Sequence, residues 1–241
     1  MSAGGKAMMG GSEDSEAGRG LFDAWPDQYD QWFETPIGRL VRAYENELII
    51  ELLEPRPGEI ILDAGCGTGL FTTDILARGP RVVGLDISLP MLRRAAKKTV
   101  GYPFSPVSGD MMTLPFADET FDKVVSVTAL EFMEDAEGAL RELFRVAKHR
   151  AYIIVATLNR LSPWAERRQD EAKEKPHSVF NRAIFRSPGE IRASAPVEGV
   201  IRTVIHFRKD DDPEEAKRIE GEGRSRGLDT GAFLAARWTR P

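Results

Sequence analysis

Glu59-Ile60-Ile61-Leu62-Asp63-Ala64-Gly65-Cys66-Gly67-Thr68-Gly69 joins an apolar run to a carboxylate and then to three alternating glycines. An apolar run of this length reads as a buried strand, and Leu70, Phe71, Ile75 and Leu76 recur behind it at helical spacing. The glycines at the junction permit backbone angles and close approach that a Cβ would obstruct, so a ligand can lie against the main chain there. A second apolar run, Arg81-Val82-Val83-Gly84-Leu85-Asp86, ends in a carboxylate 17 residues beyond Gly69. In a strand–loop–helix unit of this kind such an acid reaches the ribose hydroxyls of an adenosyl group.

Two cofactors fit a glycine loop followed by a ribose-facing acid. A dinucleotide fingerprint needs G-x-G-x-x-G, yet its third glycine falls on Leu70 when counted from Gly65 and on Thr72 when counted from Gly67. A pyrophosphate would also be repelled by Asp63, just ahead of the loop. S-adenosylmethionine carries an ammonium group and no phosphate, so a carboxylate at Asp63 suits it. A nicotinamide-dependent oxidoreductase is the weaker alternative.

From these residues the chain resembles the class I S-adenosylmethionine-dependent methyltransferases, in particular the small-molecule subgroup that includes the quinone-biosynthesis enzymes. The resemblance covers residues 59–158 and rests on the glycine loop, Asp86, Ser88-Leu89-Pro90-Met91-Leu92, Gly109-Asp110-Met111 and Leu114-Pro115-Phe116-Ala117-Asp118-Glu119-Thr120-Phe121-Asp122. It implies S-adenosyl-L-methionine as cofactor and S-adenosyl-L-homocysteine as product. It also implies cofactor contacts from Tyr29, Asp63, Ala64, Gly65, Cys66, Gly67, Gly69, Asp86, Ile87, Asp110, Met111, Val127 and Thr128. Asp110 would accept from the adenine amino group, Met111 would pack on the ring, and Val127 with Thr128 would line the floor.

The order of elements follows from periodicity. A helix containing Leu40, Val41, Tyr44, Leu48, Ile49, Leu52 and Leu53 ends at Pro55 and Pro57. Strands are expected near 59–64, 81–86, 104–108, 121–128 and 151–158, with helices near 69–78, 90–99 and 136–148. This alternation predicts an α/β, Rossmann-like, doubly wound and mostly parallel sheet. The runs 201–207 and 231–238 read as two more strands, which by resemblance make an antiparallel C-terminal hairpin and a seven-stranded sheet. Ser162-Pro163 and Ser187-Pro188-Gly189-Glu190 predict cap helices, the second with a capping box. Pro196 and the short stretch 188–200 predict that the last helix before the hairpin is curtailed. Gly221–Gly227 reads as a mobile loop after an acidic helix. The expected organisation is a disordered tail over 1–20 and one methyltransferase domain over 21–241. That domain divides into an N-terminal helical lid (21–56), a cofactor-binding core (57–158), a cap (159–198) and C-terminal strands (199–241).

Methyl transfer demands alignment and exclusion of water more than covalent help. Glu131, just past the fourth strand, is the candidate general base; capping the helix that begins near Asp135, or pairing with a cap arginine, is its structural alternative. Trp25, Tyr29, Trp32 and Phe33 form a dense aromatic group that covers something apolar, as lid or as packing. Trp164, Phe180 and Phe185 are candidates for the opposite wall of an apolar pocket.

The 241 residues are 41% apolar with net charge −5, enough to bury about 70% of the unfolded surface in one domain. No apolar run approaches the roughly 20 residues of a membrane span, and the first 20 residues lack the apolar region of a signal peptide. The expected address is the cytoplasm. No basic stripe with interleaved aromatics points to nucleic acid, so the expected partner is a small-molecule acceptor. Cys66 is the sole cysteine, which excludes an internal disulfide and makes an arsenic acceptor, held by several thiolates, improbable. His149, His177 and His206 lack metal-ligand spacing. A catalytically silent S-adenosylmethionine-binding regulator is the alternative from outside enzymology.

Overall fold

The computed structural model describes residues 22, 30–174 and 179–241; the expected tail, Trp25, Tyr29 and His177 lie outside them. Seven strands form one sheet in the order β3-β2-β1-β4-β5-β7-β6. They are β1 (Ile60–Ala64), β2 (Arg81–Asp86), β3 (Phe104–Ser108), β4 (Phe121–Val127), β5 (Ala147–Leu158), β6 (Val200–Val204) and β7 (Phe233–Thr239). The first five are parallel; β7 runs antiparallel to both β5 and β6. The order reverses at β1 and β4, so the crevice beyond their carboxyl ends is where such a sheet takes a ligand.

Helices cover both faces because the central strands are apolar on both. Ile61 and Ile154 join α1 (Pro36–Leu53) through Leu48, Ile49 and Leu52. Their neighbours Leu62, Ile153 and Val155 turn the other way, to Leu140, Leu143 and Phe144 of α4 (Ala136–Val146), as a side-chain period of two requires. Between these helices in the chain lie α2 (Leu70–Leu76) and α3 (Leu89–Lys98). Thr35 caps α1, accepting from the Gly38 N–H at 3.0 Å, and Pro36 opens it.

Both expected cap helices form. α5 (Pro163–Glu174) follows Ser162, and α6 (Pro188–Ser194) carries a complete Ser187–Glu190 capping box. α6 is only seven residues long, as Pro196 requires.

Two expectations fail locally. β5 starts at Ala147, where its register with β4 shifts between Phe121 and Lys123 and takes in four residues ahead of the apolar run. The supposed mobile loop is largely helix: α7 (Pro213–Ser225) joins β6 to β7 and contains Gly221 and Gly223. Gly223 belongs there because a Cβ would meet the His206 ring at 2.3 Å; the missing side chain lets helix and strand end approach.

Candidate functional site

The glycine loop turns as its sequence dictates. Gly65, Gly67 and Gly69 have φ of +77°, +52° and +75°, values that L side chains rarely adopt. A Cβ on Gly67 would meet nothing within 4 Å, so its backbone faces open space. One on Gly69 would press on Ala95 at 3.0 Å, so this glycine serves the packing of α2 on α3.

The loop is tied to the acids around it. Asp86 accepts the Gly67 N–H at 2.8 Å and the Ser88 N–H at 2.9 Å. Asp63, 2% exposed, accepts the Thr72 hydroxyl at 2.7 Å. Burial pushes the Asp63 carboxyl up to about 7 against the pull of that hydrogen bond. Asp110 accepts the Met112 N–H at 2.8 Å, and Met111 is buried beneath the Ser126 hydroxyl, 3.5 Å from its sulfur. Thr128 ends β4 with φ +49°. Burial raises the Cys66 thiol well above its ordinary value, which suits packing and not nucleophilic chemistry.

A cavity of about 400 Å³ opens above these groups. Asp63, Gly65, Cys66, Gly67, Asp86, Ile87, Asp110, Met111, Val127, Thr128 and Glu131 all line it. Ala64 is buried within β1 and Gly69 faces Ala95; neither is on the wall. Trp32 and Phe33 meet Trp164 and Phe180 around the cavity, whereas Phe185 packs beneath it with Leu158 and Ala165.

Glu131 lies in a single 3-10 turn, Leu130–Phe132. Cap residues clamp this turn: the Ile184 N–H donates to the Glu131 carbonyl at 2.6 Å, and the Arg186 guanidinium donates to the carbonyls of Leu130 at 2.9 Å and Met133 at 2.6 Å. The Glu131 carboxyl accepts the Thr157 hydroxyl at 3.0 Å. It is 1% exposed, and burial lifts it to about 7. Helix α4 is capped by Asp135 and not by Glu131.

Sequence reasoning missed three contributors. Glu45 stands on the apolar face of α1 between Val41 and Leu48, and a carboxylate in that stripe was a readable signal. Asp30 accepts from Thr68 Oγ1 at 2.8 Å, Lys98 Nζ at 2.6 Å and Arg94 Nε at 3.2 Å, fastening the chain before α1 to the glycine loop. Arg168 lies 5.3 Å over the Trp164 ring and 5.4 Å over that of Phe180. Among the described residues no cluster of His, Cys, Asp and Glu could hold a metal, and no helix is long and apolar enough to cross a membrane.

A parallel sheet with an antiparallel end, a glycine loop after β1 and an acid at the end of β2 define the class I S-adenosylmethionine-dependent methyltransferase fold. Residues 62–155 match the methyltransferase domain family. The chain is 33% identical over 145 residues to the demethylmenaquinone methyltransferase of Thermobifida fusca, covering 58% of this chain and 61% of that protein. It is 38% identical over 130 residues to the malonyl-[acyl-carrier protein] O-methyltransferase of Erwinia pyrifoliae, covering 50% and 49%. The matches thus span about half to three-fifths of these relatives. A Thermotoga maritima crystal structure, described as a S-adenosylmethionine-dependent methyltransferase and possible histamine N-methyltransferase, superposes with a TM-score of 0.66. It is 25% identical, and the match covers 92% of this chain and 99% of that one.

Proposed function

We propose that this protein transfers the methyl group of S-adenosylmethionine to a small-molecule acceptor. One observation carries the reading: the glycine loop, the acids ending β1 and β2, and the Glu131 turn open on a single cavity that continues into an aromatic chamber. A cofactor half and an acceptor half are thereby contiguous, which favours an enzyme over a silent binder. We assign the work to one unit spanning 21–241, acting in the cytoplasm without nucleic acid.

The loop fits this cofactor better than a dinucleotide. Its exposed backbone is flanked by buried carboxyls that can only accept hydrogen bonds when ionised, which suits an ammonium group and a diol and opposes a pyrophosphate. In this reading Asp63 holds the ammonium, Asp86 the ribose hydroxyls and Asp110 the adenine amino group. Met111 and Ile87 pack on the adenosyl body, and Gly65, Cys66, Gly67, Val127 and Thr128 form its floor. Ala64 and Gly69 act from behind by fixing the loop's path. Bound there, S-adenosylmethionine supplies a methyl group made electrophilic by the sulfonium.

Glu131 stands on the wall as proton acceptor for the acceptor molecule. A carboxyl near 7 is partly ionised at neutral pH and basic enough to take a proton from a hydroxyl or an activated carbon. Arg186 and Ile184 hold its turn in place, so the cap positions the base.

Parallel calorimetric titrations with S-adenosylmethionine, S-adenosylhomocysteine and NAD⁺ test the assignment. Binding of the first two without the third is expected. Binding of NAD⁺ alone would overturn it.

A further inference from the structure

The aromatic half of the cavity contains a carboxyl group that the fold does not use. Glu45 is 5% exposed and lines the cavity. No hydrogen-bond or ion-pair partner for its carboxyl occurs among the described residues. Nothing in the packing of α1 calls for a carboxyl here, since leucine at this point of the stripe would pack with Val41, Leu48 and Leu52. Glu45 therefore faces something that enters from the cavity.

Charge says what that is. Glu45 and Glu131 feel each other and share one facing cation, Arg168. Arg42, also near Glu45, is engaged by Asp74 and by the Leu70 carbonyl. Arg186, near Glu131, is engaged by the carbonyls of Leu130 and Met133 and by the charge of Glu190. Arg167 and Lys209, also on the cavity wall, lie against Glu171 and Asp210, so two carboxyls remain against one guanidinium, and a cation bound beside them would match the one negative charge that their ionised forms leave over. The walls are aromatic: Trp32 and Trp164 meet edge to face at 6.2 Å, with Phe33 and Phe180 beside them. Arg168 already lies over Trp164 and Phe180, so these rings accommodate a cation on their faces.

We propose that the acceptor half of the cavity is a subsite for an organic monocation, an apolar molecule bearing one protonated amine, with Glu45 as its selectivity-determining residue. That this occupant is the methyl acceptor rests on the methyltransferase reading; the cation preference does not. Demethylmenaquinone and malonyl-[acyl-carrier protein], the acceptors of two relatives, are chemically different, so the cavity wall is what selects among acceptors.

The test is calorimetry on the full chain saturated with S-adenosylhomocysteine, using three probes on one aromatic body: 2-phenylethylamine, 2-phenylethanol and phenylacetate. The amine is expected to bind at least about tenfold tighter than the alcohol, a difference of about 1.4 kcal/mol, and the carboxylate weakest of the three. Glu45→Gln, isosteric and uncharged, should bring the amine to the level of the alcohol with S-adenosylhomocysteine affinity unchanged. Should that variant not fold, the wild-type probe order alone decides. Equal affinity for amine and alcohol, no binding of the amine, or a preference that survives Glu45→Gln overturns the proposal. A chain that prefers the amine but binds neither S-adenosylmethionine nor S-adenosylhomocysteine would keep the cation subsite and lose the methyltransferase reading.

Discussion

Removing the Asp30 carboxylate should loosen both the N-terminal segment and the glycine loop. Its side chain is 13% exposed and accepts from Thr68, Lys98 and Arg94. The Arg94 contact counts for little, because that side chain is 39% exposed and solvent screens it. The Lys98 contact matters more: burial already lowers the lysine's affinity for its proton, and Asp30 opposes that effect. Hydrogen bonds to charged groups contribute about 1.5–3 kcal/mol each. Asp30→Ala should thus cost about 2 kcal/mol after screening, which for a chain of this size lowers the unfolding midpoint by roughly 4–8 °C. Asp30→Asn can still accept from Thr68 and should lose about half as much. Differential scanning calorimetry measures the midpoint, and amide hydrogen exchange over 65–69 and 30–35 shows where the opening occurs. Faster exchange in both segments is expected. An alanine variant with an unchanged midpoint and unchanged loop exchange would refute the reasoning.

Asp86→Ala should weaken S-adenosylhomocysteine binding by about one to two orders of magnitude, and it also strips partners from the Gly67 and Ser88 N–H groups. Asp86→Asn retains an acceptor for only one of those groups and should lose less than alanine; equal affinity in both variants and wild type, measured by calorimetric titration, would sink the ribose role. His206 gives a pH dependence. Burial works against its charge, but the Glu220 carboxylate at 3.1 Å and the Leu228 carbonyl at 3.2 Å outweigh it and raise the imidazole above 6.5. The stability it contributes is therefore fully present below about 6.5 and is lost as pH rises through the higher folded value. His206→Gln should flatten the fall in unfolding midpoint across that window, and a slope unchanged from wild type would count against the pairing.

The glycine-loop half of the cavity was legible because it is built from local backbone signals. Alternating glycines with positive φ, and carboxylates at the ends of β1 and β2, are set by chain neighbours and by one rule of sheet geometry. The aromatic half was less legible because it is assembled at long range. Glu131 is fixed by Ile184 and Arg186, more than 50 residues away, and Arg168 meets its neighbours only once α5 folds back over the sheet. Glycine 223 shows the same limit: composition suggested a loop, while the contact with His206 that calls for glycine inside a helix exists only in three dimensions. Glu45 lay between these cases. Its place in the α1 stripe was visible, but which wall it joins required the fold.

Three of the buried acids on the cavity wall predict how the ligand-free protein responds to pH. Burial raises Asp63 to about 7, Glu131 to about 7 and Glu45 to about 8, whereas in the unfolded chain such groups ionise near 4. Between those limits the folded state binds more protons than the unfolded state, so stability falls with rising pH. The stability is fully present below about 4 and is lost as pH passes through 7 to 8. The midpoint of the ligand-free protein should therefore decline from about pH 5 to pH 8. Glu131→Gln should make the decline shallower without altering its direction, and this contribution is separable from that of His206 because the two substitutions should add. A cationic ligand bound beside these carboxyls stabilises their ionised forms, so S-adenosylmethionine should offset the decline more at pH 8 than at pH 6. If the ligand-free midpoint were flat over this range, the acids would already be compensated inside the fold. Burial would then not be what holds them protonated.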